Sequence, residues 1–207
     1  MLTTVCRLYD AYADANRVIL LLEVSGVPLS DTSLISNDCD TWYRSPAESN
    51  VVPLRKQGES SSAGHRIEGT AIGAAIGATA ATAASLITIL AVPGVGPVVG
   101  AGWLAAMLGS MAVGGLTGGL LGALTNAGIN EEDAQVLVEG VRRGGTLVST
   151  RVSQEDAPRI EALMSRNAVD LRERGVIYRK AGRLAFDPNA PPYTADQVRC
   201  ERALHTR

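Results

Sequence analysis

From Gly69 to Asn130 the chain carries no charged side chain; Glu68 is the last charge before this stretch and Glu131 the first after it. Apolar surface of that extent has no stable place in water alone, so it must be covered by a core, an assembly or a bilayer. Pro93-Gly94-Val95-Gly96-Pro97 divides the stretch, and such a cluster of breakers predicts a tight turn between two helical arms. Small residues recur every fourth position, at Gly69, Gly73 and Gly77 in the first arm and at Gly114, Gly118 and Gly122 in the second. Residues four apart share a helix face, and glycine on that face lets two backbones approach closely. In a water-exposed helix each such glycine costs about 0.8–1.0 kcal/mol relative to Ala. The pattern therefore predicts a glycine-zipper helical hairpin, packed rather than solvated.

At about 1.5 Å per residue each arm is long enough for a hydrocarbon core of about 30 Å. Thr79, Thr82, Ser85, Thr88, Ser110 and Thr117 nevertheless make the stretch only moderately apolar. Two readings follow: a membrane-inserted hairpin, or the shared core of a soluble, cytoplasmic oligomer. Both predict a homo-oligomer joined through the glycine faces. The first adds membrane lipid as a partner and puts both termini on the cytoplasmic side of a bacterial inner membrane, with Arg55, Lys56 and Arg66 at the entry.

The flanks have a different character. Thr4–Tyr9 alternates as a strand with Thr4, Cys6 and Leu8 on one face, and Asp10 is placed to cap a helix over Ala11–Ser25. Gly26 and Pro28 end that helix, and Asp31–Asn37 forms a second strand. Beyond the hairpin, Asn130 precedes Glu131, Glu132 and Asp133, an acidic first turn suited to a helix N-terminus. The stripe Ala134, Leu137, Val138 and Val141 follows, then Arg142, Arg143 and the stop Gly144-Gly145. Thr146–Val152 predicts a strand, Ala157, Ile160, Leu163 and Met164 the inner face of another helix, and Val169–Arg172 a short strand. Strand–helix–strand occurring twice predicts an α+β fold: a small, ferredoxin-like antiparallel sheet with helices on one face, interrupted by the hairpin. The domain boundaries are 1–37 and 130–174 for the two halves, 38–66 for a polar linker, 67–129 for the hairpin and 175–207 for a solvated polar tail.

Several functions are disfavoured by composition. The net charge is −2 and aromatic residues make up 4%, so neither a basic patch nor a stacking platform for nucleic acid is expected. Cys6, Cys39 and Cys200 are odd in number and scattered, unlike a disulfide framework or a zinc site. His65 and His205 are the only histidines, which leaves little for metal or general-base chemistry. Gly94-Val95-Gly96 lacks the rest of a dinucleotide fingerprint, and Gly144-Gly145 follows a helix, the wrong end for a phosphate. No catalytic residue, metal or cofactor is predicted, and the chain is read as non-enzymatic, with the small-molecule ligand unspecified.

Three segments carry a family resemblance. Val5-Cys6-Arg7-Leu8-Tyr9-Asp10, the run from Val92-Pro93-Gly94 to Gly102-Trp103-Leu104, and the run from Glu131-Glu132-Asp133-Ala134 to Gly144-Gly145-Thr146-Leu147-Val148 resemble the bacterial general stress protein 17M-like family, relatives of the heat-induced YflT-type proteins. The resemblance spans roughly Thr3 to Arg172. It implies a role in the general stress response and offers no catalytic motif.

Overall fold

The computed structural model describes residues 2–37, 88–92, 95–114, 119–180, 191 and 193–205. Strand β1 (Leu2–Tyr9) leads into helix α1 (Tyr12–Val24) and strand β2 (Thr32–Asn37). Strands β3 (Thr88–Val92) and β4 (Gly96–Gly102) follow, then helices α2 (Trp103–Gly114), α3 (Gly119–Asn126) and α4 (Glu131–Arg142). Strand β5 (Thr146–Ser153) and helices α5 (Ala157–Met164), α6 (Leu171–Lys180) and α7 (Ala195–His205) complete the order.

The five strands form one sheet in the order β1-β5-β2-β4-β3, every neighbouring pair antiparallel. Thus the α+β class and the antiparallel sheet are as expected. The last strand lies between the first two, with Leu2 opposite Ser153 and Tyr9 opposite Thr146, and Ser36 opposite Thr146 on the other side. β1 and β2 consequently run in the same direction, joined by α1 across the strand that separates them.

The expectation of helices on one face fails. Successive strand residues point to opposite faces, and here both faces are apolar. Cys6, Leu8, Ile35 and Leu147 pack with Leu104, Leu124, Leu137 and Val141 of α2, α3 and α4. Val5, Tyr9, Val148 and Val152 pack with Val18 and Leu22 of α1 and Ile160 and Met164 of α5. A sheet with two apolar faces needs two helical layers, so the arrangement is three layers deep and not a one-faced ferredoxin-like sandwich.

The helical hairpin is also replaced. Thr88–Val92 and Gly96–Gly102 are strands, paired from Thr88 opposite Gly100 to Val92 opposite Gly96. The Val95 N–H donates to the Val92 carbonyl at 3.1 Å within their turn. Thr88, Ile89, Val92, Val98 and Val99 are β-branched and favour the extended backbone, and β2 offers a free edge for β4. Among the described residues, helices occur in the second arm, as α2 and α3. The boundary drawn at 67–129 therefore cuts through the sheet and its core, while residues 67–87 of the first arm and the linker 38–66 lie outside the described residues.

Residues 175–207 are not simply a tail. α6 starts where a strand over Val169–Arg172 was expected, because Asp170 accepts the N–H groups of Arg172 at 2.8 Å and Glu173 at 3.1 Å. α7 begins with a capping box in which Thr194 N–H donates to Gln197 Oε1 at 2.9 Å and Gln197 N–H to Thr194 Oγ1 at 3.4 Å. Asn130 caps α4 as read, its Oδ1 accepting the Asp133 N–H at 2.8 Å. Asp10 does not cap α1; its carboxylate is taken by Arg174 at 2.6 Å.

Candidate functional site

Of the glycines singled out by spacing, the two in the second arm that are described fall in different helices. Gly114 ends α2 and Gly122 lies within α3, whereas Gly96 and Pro97 open β4. Gly69, Gly73, Gly77, Gly118, Pro93 and Gly94 lie outside the described residues. A Cβ added to Gly122 would meet nothing within 4 Å, so the space directly over this glycine is open. Close backbone approach occurs at other glycines. A Cβ on Gly140 would come within 2.3 Å of Leu8 Cδ2, and one on Gly102 within 2.1 Å of the Thr32 carbonyl oxygen. Gly102 has φ of 89° as well, which suits glycine alone at the corner between β4 and α2.

Two polar clusters occupy opposite ends of the β1–β5 pair. The first surrounds the C-terminus of α4, where the helix dipole favours cations. Glu139, buried to 7% side-chain exposure, accepts from Arg142 Nη1 at 3.2 Å and from Arg143 Nε at 2.8 Å. Arg142 also reaches the Pro191 carbonyl at 2.7 Å, and Arg143 reaches Glu201 at 2.6 Å. The Arg143 guanidinium lies 4.2 Å from the Tyr178 ring centre, and that of Arg142 lies 4.8 Å from Tyr193. Burial works against the charge of Arg143, but the Glu139 hydrogen bond and the charges of Glu139 and Glu201 outweigh it. Burial pushes the Tyr178 hydroxyl up to about 12 despite the nearby Arg174 and Arg143.

Arg142, Arg143 and Arg174 are thus matched by Glu139, Glu201 and Asp10. The cavity beside Asp10, Gly140, Arg143, Arg174, Tyr178 and Glu201 is only about 10 Å³, room for about one water. This cluster acts as a clamp, fastening α6 and α7 to α4 and to the end of β1. Its signal in the sequence is the doublet Arg142-Arg143 placed among buried positions, three and four residues after Glu139.

The second cluster, at the start of β1, borders open space. A cavity of about 200 Å³ is lined by Leu2, Ser25, Val27, Pro28, Asp31, Arg151, Val152, Ser153, Asp156 and Arg159. Arg151 donates to Asp31 at 2.7 Å, and its guanidinium lies 4.9 Å from the Trp103 ring centre. Its Nε–H is buried and has no acceptor among the described residues, nor has the buried Trp103 Nε1–H. Arg159 donates to Asp156 at 3.3 Å. Ser153 Oγ donates to the Asp156 carboxylate at 2.8 Å and accepts the Asp156 N–H at 3.1 Å. The Ser153 hydrogen bond, then Arg159, hold the Asp156 carboxyl below the usual carboxylate range.

Sequence reasoning missed this cluster. Its one cue was Arg151, a charge inside an otherwise uncharged, β-branched strand. Among the described residues no group of three or more His, Cys, Asp or Glu is placed to hold a metal ion. No helix among the described residues is long and apolar enough to cross a membrane. No family model, curated protein or solved structure matches the chain.

Proposed function

We propose that the chain is a non-enzymatic, self-associating module of the general-stress type that its sequence resembles. The observation that carries this reading is the helix pair α2–α3. Neither helix contains a charged residue, and Gly122 leaves one face of α3 open to the close approach of another backbone. Leu120, Ala123 and Leu124 turn the other side of α3 into the core, so this helix has an inward apolar stripe and a small-residue outer face. A second copy of the chain, packed glycine against glycine, would cover that face with dispersion and Cα–H···O contacts.

Assembly from a folded domain fits better than insertion as a bilayer hairpin, because Thr88–Val92, expected within its first arm, and Gly96 and Pro97, expected within its turn, take part in the β3–β4 strand pair. Light scattering of the purified chain tests the proposal directly. Gly122→Leu should lower the assembly mass to that of a smaller species with an unchanged circular dichroism spectrum. An unchanged mass would exclude this face. Membrane insertion is tested separately by a carbonate wash of the membrane fraction; retention until detergent is added would restore the bilayer reading.

A further inference from the structure

We propose that β3 is the docking edge for a second copy of the chain, whose own β3 adds antiparallel to it and joins the two sheets into one. This interface is additional to the α3 face and does not depend on it.

The outer strands of the sheet are β1 and β3, and their edges are treated differently. On β1, the Cys6 carbonyl accepts from Arg7 Nη1 at 2.9 Å, and the Leu8 carbonyl accepts the Val169 N–H at 2.8 Å. A charged side chain and a covering segment are ordinary means of keeping a foreign strand off an edge. Among the described residues β3 has neither. Thr88-Ile89-Leu90-Ala91-Val92 contains no charge and no proline, and it pairs with β4 alone.

Pro97 determines which groups of β3 face outward. Opposed residues of an antiparallel pair alternately exchange two backbone hydrogen bonds and none. Pro97 stands opposite Ala91 and has no N–H to donate, so theirs is a pair without bonds. Thr88, Leu90 and Val92 therefore bond to Gly100, Val98 and Gly96, while Ile89 and Ala91 turn their N–H and carbonyl groups away from β4.

These outward groups are self-complementary. When two copies of β3 meet antiparallel about a two-fold axis at Leu90, Ile89 of each lies opposite Ala91 of the other. Every outward donor then finds an acceptor, and neither strand overhangs. An identical strand is thus the occupant that this edge matches, by the mode of β-strand addition. The β-branched Thr88, Ile89 and Val92 favour the extended backbone that such pairing requires.

Light scattering of the wild type, Gly122→Leu, Ala91→Pro and the double variant separates the two interfaces. Ala91→Pro removes an outward N–H without touching the β3–β4 ladder, and proline is tolerated at such edge positions. It should halve the mass of the Gly122→Leu species, leaving monomer, with an unchanged circular dichroism spectrum. If Gly122→Leu leaves the wild-type mass unaltered, the α3 reading fails alone, and Ala91→Pro should still halve that mass. Register is read with cysteines in a Cys39→Ser, Cys200→Ser background. Leu90→Cys would bring its two Cα atoms to about 4.5 Å across the axis, within disulfide reach, so mild oxidation should yield a covalent dimer. Thr88→Cys should not cross-link, because its partner position is Val92. An unchanged mass on Ala91→Pro, or no covalent dimer from Leu90→Cys, would overturn the interface. Should Ala91→Pro alter the spectrum, the Leu90→Cys cross-link decides. Equal cross-linking of Thr88→Cys would overturn the symmetric register.

Discussion

Glu139 is the residue whose loss should be felt most in the α4 clamp. Its carboxylate is the shared acceptor for Arg142 and Arg143, and the three side chains are only 7%, 5% and 9% exposed. Glu139→Ala would leave two guanidiniums buried with one fewer counter-charge. Breaking a buried ion pair from one side costs about 3–5 kcal/mol, because the remaining charge stays desolvated. In a chain of this size each kcal/mol lowers Tm by roughly 2–4 °C, so the variant should melt about 6–20 °C lower. The control is Asp14→Ala, which removes the partner of Arg17 from a pair whose side chains are 28% and 66% exposed; pairs of that kind contribute about 0–1 kcal/mol.

Urea denaturation followed by far-ultraviolet circular dichroism gives both free energies on one scale. Replacement of Glu139, Arg142 and Arg143 together by Met should recover part of the loss, since apolar residues of similar volume replace buried ion triads well. A Glu139→Ala cost no larger than that of Asp14→Ala would refute the reasoning, because it would mean that water reaches the arginines.

Three further outcomes are expected. Gly102→Ala, with its Cβ directed at the Thr32 carbonyl, should lower the urea midpoint far more than Gly26→Ala, where φ is also positive but nothing lies within 4 Å; the second change isolates a conformational cost of about 1–2 kcal/mol. Burial pushes the Cys6 thiol up to about 12, while Cys200 is exposed; peptide mapping after brief alkylation at mild pH should find Cys200 labelled and Cys6 protected, and equal labelling would contradict the core assignment. Tyr178, with its hydroxyl raised from 10.0 to about 12, stabilises the fold fully below the lower value and progressively loses that contribution as pH rises through the higher one. Stability should therefore fall across this window, and Tyr178→Phe should flatten the decline.

The flanks of the chain were legible because each element has its own local signal. The alternation of Thr4, Cys6 and Leu8, the stripe of Ala134, Leu137, Val138 and Val141, and the Asn130 cap all appear where they were read. Within the apolar centre, Thr88–Val92 and Gly96–Gly102 are strands where glycine spacing predicts helix, because the β-branched residues of β3 and β4 outweigh that spacing. A short apolar run has no period that separates a buried strand from a buried helix, and the decision there came from the open edge of β2. The second helical layer was hidden for a related reason: a strand buried on both faces loses the polar alternation that would announce it. The clamp residues and Arg151 were obscured because their partners lie far away in the chain, as with Arg143 and Glu201 or Arg151 and Asp31. Single-sequence patterns report neighbours within a few residues, not such pairs.

The position of β5 carries a consequence for how the chain is made. β1 and β2 have no hydrogen bonds to each other; both are joined through β5, which extends to Ser153. A ribosome therefore releases two partly apolar strands well before their common neighbour exists. Such contacts, distant in sequence, close slowly, and unpaired strand edges invite pairing with other chains. During that interval the nascent chain is open to intermolecular strand exchange, and any fragment ending before Thr146 would keep that vulnerability permanently.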